Sequence, residues 1–322
     1  VPDPQVEAEP ARAIVRFDGS VLDMINVPGV TPGSPRERAL QRTARRIFAE
    51  LSVPPARRSG SDPTVTVIVC TRDRAAELRG CLESLARLDY PGVEIIVVDN
   101  APTDDATATV ARSFDVEYVV EPAPGLDNAR NTGLVRARGE IVAFTDDDAR
   151  PEPDWLRGLV RGFESPDVGA VAGLVLPAEL ETHAQRLFEN VYQGMRKGYE
   201  IRVVRSRGRR SPIRPELIGT GCNMAFRRAA FDGLDGFRED MGRSGTRPLG
   251  CEETELCIRL RQADPSRRIV LAPGAPVTQR VPAQRATVRY FLSRCYSEGL
   301  SKAQVSRLVG SDSGLASERA YT

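Results

Sequence analysis

Residues 65–73 read VTVIVCTRD, a continuous apolar and β-branched run that stops abruptly at polar residues. A strand with one face in water would alternate apolar and polar positions. This one does not, so it has to be covered on both faces, as strands of a parallel sheet are. Working outward, Arg74–Leu88 has helical spacing and Val93–Val98 (VEIIVV) is a second run of the same kind. Asp104–Ser113 reads as helix, Val116–Val120 as strand, Leu126–Arg138 as helix and Glu140–Phe144 as a fourth strand. Such strand–helix alternation predicts an α/β fold with a Rossmann-like, mostly parallel sheet flanked by helices. Functional groups are then expected at the carboxyl ends of the strands.

Further out the pattern loosens. Residues 1–10 are rich in proline and acid and read as a disordered leader. Ala13–Phe17 and Val21–Val27 flank Asp18-Gly19, a hairpin signal, and Arg36–Leu51 has helical spacing. This predicts a small hairpin-plus-helix module over 1–60. After the fourth strand, helix is expected over Trp155–Phe163, Thr182–Arg196, Glu252–Gln262 and Thr287–Val309. Strand is expected over Val168–Leu176, Glu216–Arg227 (interrupted by glycines) and Ile269–Leu271. Residues 202–214, crowded with arginine, read as an exposed loop. The expected division is 1–60, a main domain over 61–300, and a helical tail over 301–322.

Composition narrows the chemistry. The chain has 322 residues, 45 Lys+Arg against 44 Asp+Glu, and a single histidine, His183. A net charge of +1 carries no footprint for nucleic acid. One histidine excludes any site with two histidine ligands and leaves catalysis to carboxylates. The 6 cysteines form no CxxC pair, and most sit in apolar runs where a buried thiol is expected. No apolar run approaches about 18 residues and no signal peptide is legible. The expectation is a cytoplasmic protein, soluble or peripheral at the inner face of a membrane.

The strand ends carry the polar residues: Thr71-Arg72-Asp73, Asp99-Asn100 and Thr145-Asp146-Asp147-Asp148. Carboxylates converging on one sheet edge repel one another, so packing alone does not favour them. Asp146 and Asp148 form a D-x-D pair suited to Mg²⁺ or Mn²⁺ shared with a diphosphate. The blander reading is a solvated acidic turn.

VTVIVCTRDR, VVDNAPTD, GLDNARNTGL, TDDD and GCEETELCIRL follow one another in this order. Together they resemble the family 2 glycosyltransferases with the GT-A fold, over about residues 64–300. The resemblance implies an inverting transfer from a nucleotide-diphosphate sugar (UDP-sugars among them) to an acceptor hydroxyl, assisted by Mn²⁺ or Mg²⁺. It implies that Asp99 binds the nucleotide base and that Thr71, Arg72 and Asp73 line the same pocket. Arg130 would face the diphosphate with Asn131 supporting its loop, and Asp146, Asp147 and Asp148 would serve metal and ribose. Gly221 and Asn223, in GTGCN, would approach the donor sugar. Glu253 would be the general base, with Glu252 its rival. Many family members have a metal-ligating histidine where this chain has Gln279, which offers a carbonyl oxygen instead.

Acceptors left open are carbohydrate, lipid-linked and small-molecule. Arg289, Arg294 and Lys302 in the C-terminal helical region permit peripheral membrane contact, and a homodimer is compatible with the N-terminal module. His183 reads as a surface residue. The competing reading is a non-catalytic nucleotide-sugar or carbohydrate-binding protein of the same fold. A nucleotidyltransferase ranks lower, since no glycine-rich loop follows the first strand.

Overall fold

The computed structural model describes residues 11–17, 20–27, 62–179, 182–187, 202–204, 221–244, 247–281 and 285–309. The chain divides into two compact units, Val1–Ser61 and Asp62–Thr322. In the first unit β1 (Ala11–Phe17) and β2 (Ser20–Val27) pair antiparallel, forming the hairpin expected around Asp18-Gly19. The leader at 1–10 and the helix expected at Arg36–Leu51 lie outside the described residues.

The second unit is built on one large sheet. The expected alternation appears as β3 (Val65–Thr71), α1 (Ala75–Leu85), β4 (Val93–Asn100), α2 (Ala106–Ala111), β5 (Glu117–Glu121), α3 (Leu126–Arg136) and β6 (Ile141–Asp146). These strands lie in the order β5-β4-β3-β6, all parallel. Every residue of β3 is buried, as its unbroken apolar run demands. Its odd positions Val65, Val67 and Val69 pack with Leu78, Leu82 and Trp155, while Ile68 and Cys70 pack with Ile96, Phe144 and Phe237 on the other face. Strand order reverses at β3, so the loops leaving β3, β4 and β6 open a crevice at their carboxyl ends.

The other half of the sheet is mixed. After β7 (Ala149–Pro151) and α4 (Trp155–Gly162) come β8 (Val168–Pro177), α5 (His183–Leu187), β9 (Arg202–Val204) and β10 (Asn223–Arg227). A hairpin of β11 (Arg243–Ser244) and β12 (Arg247–Pro248), α6 (Glu252–Ala263), β13 (Arg268–Gln279) and α7 (Val288–Val309) complete the described elements. The sheet continues β6-β10-β8-β13-β7, with β9 also on β13. β10 runs antiparallel between β6 and β8, while β8 and β13 are parallel.

Several expectations change here. The strand expected over Glu216–Arg227 begins only at Asn223, and Gly219 and Thr220 lie outside the described residues. Residues 202–204, read as part of a loop, pair with β13; the rest of that arginine run is outside the described residues. β13 is far longer than Ile269–Leu271, because Pro273, Gly274 and Pro276 do not end it. The register shifts between Ala272 and Pro276, and in such a bulge a missing proline N–H breaks no ladder bond. Gly158 of α4 makes this packing feasible, since a Cβ there would collide with the Gly274 carbonyl oxygen. β7 is too short to be legible. The boundary drawn at 300/301 falls inside α7, whose Val305 and Val309 belong to the same core as Phe237 and Leu256.

Candidate functional site

Register aligns the strand ends. Thr71 lies beside Asp99, Cys70 beside Asp146, and Asn223 beside Thr145. Gln279 lies opposite Ala149, so β7 brings the end of β13 against Asp148. The sequence-predicted residues therefore share one edge, but their roles divide.

Asp99 is fully buried and accepts a hydrogen bond from the Tyr118 hydroxyl at 2.8 Å. Its other carboxylate oxygen, Oδ1, is buried without a partner. An orphaned acceptor at a strand end is a site for an N–H from outside. Burial raises the Asp99 pKa, and the Tyr118 hydrogen bond opposes the rise. Asp73 takes a left-handed conformation (φ 52°) and accepts the Thr103 N–H at 2.8 Å, which braces the loop beside Asp99. Arg72 is exposed on the same loop, 3.9 Å from Asp73.

The three aspartates diverge. Asp147 turns inward, accepting from the Thr71 hydroxyl at 2.8 Å and from Arg74 at 2.5 Å. Burial lifts its pKa to about 7 against the pull of Arg74. Thr71 is thus spent on Asp147 rather than on lining a pocket. Asp148 accepts from Arg74 at 2.9 Å and from the Gln279 amide N–H at 3.1 Å, with Arg285 at 3.9 Å. Asp146 is partly exposed, and burial with the neighbouring Asp148 pushes its pKa up. Asp148 acts on it as a nearby like charge, the kind of carboxylate pair that a divalent cation takes.

Gln279 points its NH₂ at Asp148, and its Oε1 accepts from the Cys222 thiol at 3.6 Å, which places it beside the carboxylate it would share a metal with. Among the described residues, no three of His, Cys, Asp and Glu gather into a metal cage. His183 is exposed at the start of α5; none of the cysteines is in a disulfide, and Cys295 alone of them is not buried.

Arg130 is buried, against the expectation that it faces a diphosphate. Its side chain is 3 % exposed, donating to Asp127 at 3.1 Å and to Glu252 at 2.8 Å, with its guanidinium 5.2 Å from the Phe237 ring centroid. It is a buried strut between α3 and α6, not an exposed contact for diphosphate. Burial disfavours its charge, but Glu252 and Asp127 more than restore it, and its pKa stays raised. Gly221 leaves room for it: a Cβ there would sit 2.5 Å from Nη2. Asn131 clamps the Phe237 peptide, donating to its carbonyl at 2.9 Å and accepting its N–H at 2.8 Å.

Asn223 is likewise structural. Its amide donates to the Leu174 and Ala275 carbonyls, each at 2.8 Å, and accepts the Trp155 indole N–H at 2.8 Å. Fully buried and satisfied, it staples β8, β13 and α4 and has no hydrogen-bond donor left for a sugar.

The Glu252-Glu253 pair opens α6 behind Cys251, which holds a left-handed φ of 67°. A non-glycine residue in this region is strained, and here it sets the angle of the two acids. Glu252 faces inward to Arg130. Glu253 is partly exposed, and its pKa is pushed to about 8 by burial and by Glu252. Asp127 is raised to about 8 by burial and the same neighbour.

Arg74, Tyr118, Asp127 and Arg285 escaped sequence reasoning. Arg74 and Asp127 sit inside the quoted motifs, and Asp127 stands three residues before Arg130, an ion-pair spacing on a helix. Tyr118 and Arg285 carry no such signal.

A family model described as glycosyl transferase family 2 matches residues 66–234. A glucosyl-dolichyl phosphate glucuronosyltransferase of Haloferax volcanii is 26% identical over 245 residues, 74% of this chain and 76% of its own. The succinoglycan biosynthesis protein ExoM of Rhizobium meliloti is 29% identical over 248 residues, 73% of this chain and 72% of its own. The mannosyltransferase PcManGT of Pyrobaculum calidifontis, solved with GDP-Man and Mn²⁺, superposes with a TM-score of 0.54 at 25% identity, covering 78% of this chain and 67% of that one.

Proposed function

The chain belongs to glycosyl transferase family 2, and from that membership we propose an inverting transfer of a sugar from a nucleotide-diphosphate donor to an acceptor hydroxyl, with Glu253 as general base. The observation that carries this reading is Glu253 itself: a partly exposed carboxylate whose pKa of about 8 suits it to take a proton near neutral pH. Glu252 is the weaker choice, since its carboxylate is buried and already bound to Arg130.

On the donor side, the free Oδ1 of Asp99 would accept an N–H of the nucleotide base. Asp146 and Asp148 would hold a divalent ion, as the Mn²⁺ complex of PcManGT suggests, and their phosphate and water partners would complete its oxygen shell. Bound there, the ion would neutralise charge building on the departing diphosphate. Arg74 and Gln279 keep Asp148 in place, and Arg285 adds positive charge beside it. The acceptor hydroxyl would give its proton to Glu253 as it attacks the anomeric carbon from the face opposite the leaving group. The acceptor is a carbohydrate, a lipid-linked sugar or a small molecule.

The test is a transfer or donor-hydrolysis assay across a donor panel with Mn²⁺. Glu253→Gln is expected to lower kcat about 10²- to 10⁴-fold with little change in donor affinity. Asp148→Ala is expected to weaken Mn²⁺-dependent turnover and donor binding together. Turnover at the wild-type rate in either variant sinks the corresponding assignment.

A further inference from the structure

α7 has two faces of different character. Its inner face is structural. Phe291, Ser297, Ser301, Val305 and Val309 are buried. Ser301 Oγ accepts the Gly250 N–H at 3.0 Å, and Glu298 accepts from the Cys251 thiol at 3.6 Å. The helix thereby grips the turn that presents Glu252 and Glu253.

Its outer face exposes large apolar side chains at every fourth position: Val288 (46%), Leu292 (61%), Tyr296 (71%) and Leu300 (47%). Steps of four residues drift by about 40° around a helix, so these four stay within about a third of its circumference. Gly299 and Ala303 are exposed on the same side, as are Arg289 near one end and Arg307 near the other. Among the described residues of α7 the acid is Glu298, and it lies on the inner side, paired with Arg294 at 3.2 Å and Lys302 at 3.8 Å. The outer face is thus an apolar stripe flanked by cations and free of anions. At 22 residues the helix is about 33 Å long. No helix among the described residues is long and apolar enough to cross a membrane.

We propose that the outer face of α7 docks on the surface of an anionic lipid bilayer. Leu292, Tyr296 and Leu300 enter the boundary between headgroups and acyl chains, and Arg289 and Arg307 meet the lipid phosphates. Apolar area and basic charge on one helix face, with an opposite face committed to the protein, are what an interfacial helix requires. A tyrosine at the centre of the stripe suits a boundary that is apolar on one side and wet on the other. Charge selects among occupants: a second copy of this face would bring Arg289 and Arg307 against like charge, whereas an anionic bilayer complements them. Docking here would hold the Glu252-Glu253 turn, gripped from the inner face, close to the lipid surface. This deepens the transferase reading by favouring an acceptor hydroxyl carried on a lipid, and that consequence rests on it; the docking itself rests on the helix alone.

Flotation of the full chain with phosphatidylcholine vesicles, with and without phosphatidylglycerol, tests the surface. The wild type is expected to float with the anionic vesicles, to bind neutral ones weakly, and to be released by salt. Leu292→Glu with Tyr296→Glu is expected to reduce the bound fraction more than about tenfold, and Arg289→Gln with Arg307→Gln to abolish the preference for anionic lipid. The milder pair Leu292→Ser and Tyr296→Ser serves if the glutamates lower the melting temperature. Glu253→Gln is expected to float like the wild type, so loss of transfer and loss of docking are read separately. A wild type that stays off anionic vesicles, or a Leu292/Tyr296 variant that floats equally well, overturns the proposal. So does a wild-type dimer in solution that the same variant dissociates, which would make the stripe a self-interface.

Discussion

At the sheet edge, Asp146, Asp147 and Asp148 stand against Arg74 and Arg285, with Arg243 close enough to act on Asp146. At the start of α6, Asp127, Glu252 and Glu253 gather around Arg130, which is bonded to Asp127 and Glu252, with Arg294 close enough to act on Glu253. The residue types are the same and the charge balance is not. The first cluster has cations for its acids and a partly exposed carboxylate, Asp146, at its mouth, an arrangement suited to gripping a charged ligand. In the second, Asp127 Oδ2 and Glu252 Oε2 are buried without a partner and Glu253 alone of the three acids is partly exposed. Acids in such surroundings hold protons to higher pH, and Asp127 and Glu253 both rise to about 8. Burial lifts Asp147 in the first cluster as well, to about 7, so the clusters differ chiefly in their partners: Arg74 and Arg285 brace the first, and Arg130 holds the second.

Breaking the second cluster should have the largest effect. Arg130→Met leaves Asp127 and Glu252 buried without their cation, and loss of one partner of a buried ion pair costs about 3–5 kcal/mol. Urea denaturation is the measurement. The sign with pH follows from Asp127: with the arginine gone its folded pKa rises further, so the folded state gains stability as Asp127 takes up a proton. The deficit is expected to shrink in mildly acidic buffer and to be greatest above about 8, the value to which Asp127 is already raised. A deficit independent of pH would mean that Arg130 acts mainly through its contact with Phe237.

The matching change in the first cluster should cost less. Arg74 is 29% exposed, and Asp148 keeps Gln279 and Arg285 when it is lost. Arg74→Met is expected to lower stability by about 1–2 kcal/mol, chiefly through Asp147, whose Thr71 hydrogen bond alone would remain. Donor binding measured by calorimetry is expected to be the more sensitive readout, because Asp148 loses its closest brace. Equal losses of stability in the two variants would erase the distinction drawn between the clusters.

The two clusters were also unequally legible in the sequence. The first follows from a rule of the fold: unbroken apolar strands, polar residues where they end, and a sheet that aligns those ends. VTVIVC, VEIIVV and EIVAF are enough to bring Thr71, Asp99 and Asp146 to one edge. The second depends on contacts between distant segments. Arg130 and Glu252 are 122 residues apart, and nothing in either motif shows that one neutralises the other. The bonds of Asn223 are hidden for the same reason, since its partners Trp155, Leu174 and Ala275 come from three other elements. β13 was truncated because proline is normally a strand breaker, and only the bulge at 272–276 reveals why it is tolerated here.

The subtlest test separates the two glutamates. Glu253 owes its raised pKa first to burial and then to Glu252, with Glu298 adding to the rise and Arg130 opposing it; Arg294 packs beside the same turn, near Gly250. Glu252→Gln removes one negative charge and leaves Arg130 less neutralised, and both changes favour ionised Glu253. A general base works in its ionised form, so kcat/KM of the wild type should rise with pH through about 8. In Glu252→Gln that acidic limb should move down by about one unit, equivalent to about 1.4 kcal/mol, with the plateau largely retained. If Glu252 were the base, the same substitution would remove the plateau instead of moving the limb. The shape of one pH profile therefore decides which acid takes the proton and whether its acidic neighbour is what tunes it.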